Sequence, residues 1–230
     1  MLTNEQVQYL HQFCVKHYVR YYDLQVELVD HLAEAIEAKL QANPSLDFDK
    51  ALNEVYAGFG ISGFAPVVAE RMEALQKSGS KQWRKAFTSW FTVPRIIITA
   101  VIFLLLYLPL QSGLFPNPQD GLLLYAVLAS LLGLGISIYS LVKFKKPKRS
   151  LLFLQQGRGA GVLSWMLQVP VFYFYFVPGL TEASVHIQVV NIIFTAFAVC
   201  MFVCCLAQFD VRKKAYTKAL TLYPKAFDNN

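Results

Sequence analysis

Four stretches of this chain, 93–110, 121–142, 161–180 and 185–208, are apolar over roughly the 20 residues that an α-helix needs to cross a bilayer. In lipid every backbone N–H and C=O must be satisfied within the protein, so runs of this length are expected to be helices. Composition agrees. The chain is 55% hydrophobic and only 16% charged, against about 25% charged in an ordinary soluble domain. The deficit lies after residue 95. Pro170 sits inside the third stretch, where membrane helices tolerate proline if neighbours re-satisfy the freed backbone. Residues 1–10 carry Glu5 and no basic cluster, so no signal peptide is expected and insertion falls to the internal helices.

Basic residues set the expected orientation. Lys77, Lys81, Arg84, Lys85 and Arg95 precede the first stretch. Lys143, Lys145, Lys146, Lys148, Arg149 and Arg158 separate the second from the third. Arg212, Lys213, Lys214, Lys218 and Lys225 follow the fourth. The two other connections, 111–120 and 181–184, contain no Lys or Arg. Because cytoplasmic flanks carry the Lys/Arg excess, this alternation predicts four spans with both termini inside. Trp83, Trp90, Phe91 and Trp165 are expected interfacial anchors.

Arg95 sits at the inner edge of the first stretch, and from Ile96 to Gln208 no Asp, Glu, Lys or Arg falls in a span's interior. Intramembrane charges mark proton relays and ion pathways, so their absence argues against an ion-coupled transporter but leaves apolar solutes and lipids open. The interior polar groups include Thr99, Ser164, Gln168 and Thr195, with Gln188 and Asn191 read as interhelical glue. Gly133 and Gly135, with Ser130 and Ser137, suggest a small-residue packing patch. Cys14, Cys200, Cys204 and Cys205 show no CxxC spacing and are read as buried free thiols. The chain carries +6 overall, yet residues 1–76 hold five basic against eleven acidic residues. The excess positive charge thus belongs to the membrane flanks, and no nucleic-acid motif accompanies it.

The organisation predicted is a cytoplasmic helical domain (1–76), a basic juxtamembrane linker (77–92), a transmembrane domain (93–210) and a basic tail (211–230). The fold class is all-α. Thr3 and Gln6 form a capping box for a first helix. Asp23 is expected to cap a second helix that ends near Ala42, in which Leu28, Leu32, Ile36 and Leu40 recur every fourth residue. Asp47 or Asp49 opens a third helix, Gly58, Gly60 and Gly63 interrupt the chain, and a last helix runs from about residue 64 to 77. The tail reads equally as an amphipathic surface segment, with Tyr216, Leu220 and Tyr223 opposite its cations, or as solvated chain.

On the second helix Glu27, Asp30, His31, Glu34 and Glu37 fall at spacings that place several on one face. Carboxylates and an imidazole so placed can hold a divalent cation. A di-iron bundle, however, needs matching carboxylates on other helices, and the first helix offers only Glu5 beside His11 and His17. No metal is therefore expected. The face is read as solvated or partner-binding, with Glu27, Asp30, His31 and Glu34 as the candidate contact residues. The same acidic domain has an alternative place to dock, the basic 143–158 loop of its own chain.

The run Tyr21 to Glu37 (YYDLQVELVDHLAEAIE) and the later ALNEVYAGFGISGF resemble the helical cytoplasmic prefix domains of bacterial membrane proteins, the HAAS-type and permease-prefix domains. The shared features are ELVDHL, Glu27 to Leu32, and an Ala-Leu helix ending in a Phe-Gly turn at Phe59-Gly60. The resemblance covers about a third of the chain. It implies a bacterial inner membrane and a membrane-anchored regulatory or signalling component whose helical domain contacts another protein. The spans carry no permease or sensor signature.

No Ser-His-Asp, Cys-His, HExxH or Walker pattern is present. For lipid chemistry the external loops offer Asn117, Asp120, Glu182 and His186. The expectation is a non-enzymatic regulatory or interaction subunit, with no catalytic residue and no cofactor. Its partners are the bilayer, a cytoplasmic protein and, compatibly, further copies of itself. The alternative is a subunit of a transporter or channel for an apolar solute or lipid.

Overall fold

The structure is a computed structural model. It describes residues 1–144, 146–158, 162–182 and 186–227, and their side chains except those of 118, 156–158, 162–166 and 180–182. Lys145 and the side chains of Arg158, Ser164, Trp165 and Glu182 thus lie outside the described residues. The fold is all-α, with no strand among the described residues. Its helices are α1 (Asn4–Lys16), α2 (Tyr22–Ala42), α3 (Phe48–Ala57), α4 (Ala65–Thr88), α5 (Arg95–Gln111), α6 (Pro118–Lys143), α7 (Val162–Glu182) and α8 (Ile187–Leu222). They form two compact units. One comprises residues 1–78, 146–156 and 217–230; the other comprises 79–145 and 157–216.

In the first unit, local chemistry starts and stops the helices. The Thr3 hydroxyl accepts from Gln6 N–H while the Gln6 side chain accepts from Thr3 N–H, closing the capping box at α1. Asp47, rather than Asp49, caps α3. Leu28, Leu32 and Ile36 on α2 are buried with Leu10 and Cys14 of α1 and Leu52 of α3. Burial pushes the Cys14 thiol up to about 12, so it is un-ionised at neutral pH. Beside this core Phe13, His17, Tyr56 and Phe64 form an aromatic cluster, tied by a 2.7 Å bond between the Tyr56 hydroxyl and His17 Nδ1. A Cβ at Gly63 (φ +52°) would run into the Tyr56 hydroxyl.

Helix α1 ends in a Schellman arrangement. Val19 N–H donates to Cys14 O at 3.0 Å and Tyr18 N–H to Val15 O at 3.1 Å. The residue at the left-handed position is Tyr18 (φ +65°), not glycine, and its ring is 84% exposed. The side chain gains little by packing, and its Cβ is strained there. Tyr18→Gly is therefore expected to stabilise this unit by about 0.5–1 kcal/mol, read as slower hydrogen exchange across α1 and α2.

Three sequence expectations change here. Asp23 does not cap α2: the helix begins at Tyr22 with Tyr21 at its N-cap and no side-chain cap bond, because the Asp23 carboxylate is used elsewhere. The helix expected to end near Lys77 runs to Thr88. Gly79 costs only about 1 kcal/mol, and the good helix formers after it carry the helix on. The C-terminal segment is neither a separate surface helix nor solvated chain. It continues α8 to Leu222, and Ala219 and Ala226 are fully buried.

In the second unit, 119–143 and α8 are each long and apolar enough to cross a membrane. The helical stretch 65–91 and α5, bent by 70° at a short break, pass the same test together, which makes two spans, or three if this bent pair is one span. The chain is thus an integral membrane protein. Side chains such as Leu105, Leu131, Leu141 and Phe174 are apolar and more than half exposed, as lipid-facing residues are. Helix α7 continues through Pro170 and Pro178. Its Phe172 stacks on Phe197 of α8 at 4.3 Å. Asn191 and Thr195, one turn apart on α8, are buried, with Asn191 Oδ1 and Thr195 Oγ1 unbonded among the described residues, whereas Gln188 is exposed. Gly133 is buried but Gly135 faces outward. Two residues are about 200° apart around a helix, so the pair cannot form one packing patch.

Candidate functional site

The first unit is closed by a clamp at the start of α2. Asp23 points away from its own helix, and its carboxylate accepts Leu152 N–H at 2.9 Å and Phe153 N–H at 2.8 Å. These amides open the short helical turn Phe153–Arg158, so Asp23 caps a turn 129 residues away instead of its own helix. Tyr22 N–H donates to Ser150 O at 2.8 Å, and the Gln155 side chain donates to the Tyr21 hydroxyl at 3.1 Å. The C-terminal segment joins the same assembly, with Lys148 N–H donating to Ala226 O at 2.9 Å.

Tyr22 is the apolar centre of this clamp. It is buried with Leu151, Ala219 and Ala226. The Arg149 guanidinium lies over its ring at 4.8 Å, His11 stacks beside it and Tyr223 meets it edge-on. Lys218 lies over the Phe153 ring at 5.0 Å. The Tyr223 phenol is held above its ordinary range, first by burial and then by the negative charges of Asp23 and Glu27. The 146–156 segment of the basic loop is thus engaged within this unit through backbone amides and ring stacking, with no ion pair to it among the described residues.

The four candidate contact residues separate. Asp30, His31 and Glu34 are exposed along α2. Glu27 is half-buried and ion-paired with Arg71 at 3.2 Å, beside the clamp. It therefore serves the unit's own packing. Glu37, on the same helix, accepts Leu2 N–H at 2.7 Å. Among the described residues no group of three or more His, Cys, Asp or Glu side chains is placed to hold a metal.

Sequence reasoning missed Tyr22 and Arg149 and misread Asp23. The available signal was an acid following two tyrosines at the head of an otherwise amphipathic helix. Two further concavities are present. One is a groove of about 560 Å³ beside the clamp, lined by His11, Arg20, Tyr22 and Arg149 among others. The other is an almost wholly apolar hollow of about 340 Å³ in the second unit, between α5 and α8, lined by Ile96, Phe103, Val199 and Cys200 among others. No protein-family model, curated protein or solved structure matches this chain.

Proposed function

We propose that this chain is a four-span membrane protein, with both termini on the cytoplasmic side of a bacterial inner membrane, that acts without catalysis as a regulatory or interaction subunit. Counting α5 and α7 as spans beside α6 and α8 gives the four, and the alternation of basic flanks with flanks that lack Lys and Arg supports the orientation. The HAAS-like run from Tyr21 to Glu37 supports a protein-contact role. The observation that carries the reading is how α2 divides its faces. Its apolar face is spent on the core and its first turn on the clamp. Asp30, His31 and Glu34 remain exposed on a unit that the clamp ties to the connection between two apolar helices.

The test is purification of the full chain in mild detergent, with mass spectrometry of what accompanies it, for the wild type and for Asp30→Lys/Glu34→Lys. Exposed substitutions of this kind shift stability by only about 0.5 kcal/mol, so folding is retained. A stoichiometric protein partner is expected with the wild type, and its yield falls at least about tenfold in the variant, as juxtaposed like charges oppose association. Capture that survives the reversal sinks the acidic-face reading.

The hollow between α5 and α8 favours one second reading, a transporter or channel subunit for an apolar solute or lipid. Solute-dependent flux in liposomes holding this chain alone would support it.

A further inference from the structure

The groove beside the clamp has a composition at odds with its surroundings. Residues 1–76 are rich in acid, and several cations of the first unit are spent on carboxylates: Arg71 on Glu27, Lys39 on Glu54 and Lys77 on Glu73. Arg20 and Arg149 flank the groove from two different segments. Among the described residues neither has a carboxylate within ion-pairing distance. Both are exposed. His11, on α1, stacks on Tyr22, and its Nδ1 is buried without a hydrogen-bond partner among the described residues. Buried polar atoms are nearly always satisfied, and this nitrogen is open to a donor or acceptor that enters the groove. Its protonation is disfavoured first by burial and then by the charges of Arg149 and Lys225, with Asp30 opposing them.

We propose that this groove binds a phosphate group, with the guanidinium groups of Arg20 and Arg149 as its two ligands and His11 as a third contact. A guanidinium presents paired N–H donors that match phosphate oxygens two at a time. Val15, Val19 and the Tyr22 ring give the rest of the ligand an apolar wall. Arg149 is placed by the clamp itself, through its cation–π contact with Tyr22 and its N–H donated to Ala226 O. An occupant would therefore touch both the α1–α2 turn and the 146–156 segment, and binding would favour the closed clamp. Arg149 lies six residues beyond the end of α6, a reach of at most about 20 Å of chain. The phosphate has two available sources, a soluble phosphate compound or a phospholipid headgroup. None of the proposed ligands belongs to the acidic face of α2, although Asp30 of that face acts on His11.

The experiment uses the full chain in two settings. In a neutral maltoside detergent the probe is pyrophosphate, against chloride at matched ionic strength. In nanodiscs the comparison is phosphatidylcholine alone against phosphatidylcholine with phosphatidylglycerol. Hydrogen exchange across residues 19–22 and 148–153 is read for the wild type, Arg20→Gln and Arg149→Gln. Arg149→Gln also removes a clamp contact, whereas Arg20→Gln does not and keeps the test interpretable. Slowed exchange with pyrophosphate, with affinity reduced about tenfold or more in Arg20→Gln, assigns a soluble phosphate compound. Slowed exchange only with phosphatidylglycerol, lost in Arg20→Gln, assigns a headgroup. No slowing in either setting, or equal slowing in Arg20→Gln, overturns the proposal.

Discussion

Asp23→Ala is expected to open the clamp, lowering the local stability of the 146–156 segment against the helical unit by about 3–5 kcal/mol. A hydrogen bond to a charged acceptor contributes about 1.5–3 kcal/mol. Asp23 makes two, and both end on backbone amides, of which Leu152 N–H is fully enclosed. The substitution removes both acceptors and leaves the donors without replacement, so the cost exceeds that of an ordinary surface change. Asp23→Asn keeps one acceptor oxygen and the side-chain shape, and should lose about half as much. Hydrogen exchange separates the two variants, because it reads local opening in a protein of two units where a single melting temperature does not. The α1–α3 core, built around Leu28, Leu32 and Ile36, should keep its protection in both.

Tyr22→Ala should be comparably severe by a different route. The ring is buried among Leu151, Ala219 and Ala226, with Arg149 over it and His11 beside it. Truncating a buried aromatic to alanine costs about 3–5 kcal/mol, from lost transfer energy plus the cavity left behind. Tyr22→Phe keeps the ring, and its cost should stay below about 1.5 kcal/mol, as for other volume-conserving changes. The pair separates packing from polarity. If Phe is as damaging as Ala, the hydroxyl and not the ring holds the clamp. Exchange at 148–153 and at 219–227 should rise together in Tyr22→Ala, since both segments pack on the same ring.

What the sequence revealed and what it hid follow from the range of the interactions. The capping box at Thr3, the Asp47 cap and the fourfold leucine repeat of α2 are local, and each matches the structure. The apolar stretches are equally local, since a helix of about 20 apolar residues announces itself. Asp23 was legible as a capping residue, because an acid at a helix start is one by chemistry. Which turn it caps depends on residues 129 positions away, and nothing near Asp23 records that. The same holds for α8. Its cations after Gln208 suggested a break into a tail, but Ala215 and Ala219 are small enough to pack closely, and the helix carries on. On the acidic face, spacing grouped Glu27 with Asp30, His31 and Glu34. Only the position of Arg71, on another helix, takes Glu27 out of the exposed set.

The clamp's existence in the full chain is tested most directly by amide hydrogen exchange at Leu152 and Phe153 in detergent micelles, wild type against Asp23→Ala. These residues lie in the connection between two apolar helices, where an unpaired backbone would exchange at nearly its intrinsic rate. The expected result is strong protection of both amides in the wild type, lost in Asp23→Ala while Leu28 and Leu32 stay protected. Rapid exchange of Leu152 and Phe153 in the wild type, unchanged by the substitution, would contradict the account: the helical unit would then be free of the membrane connection.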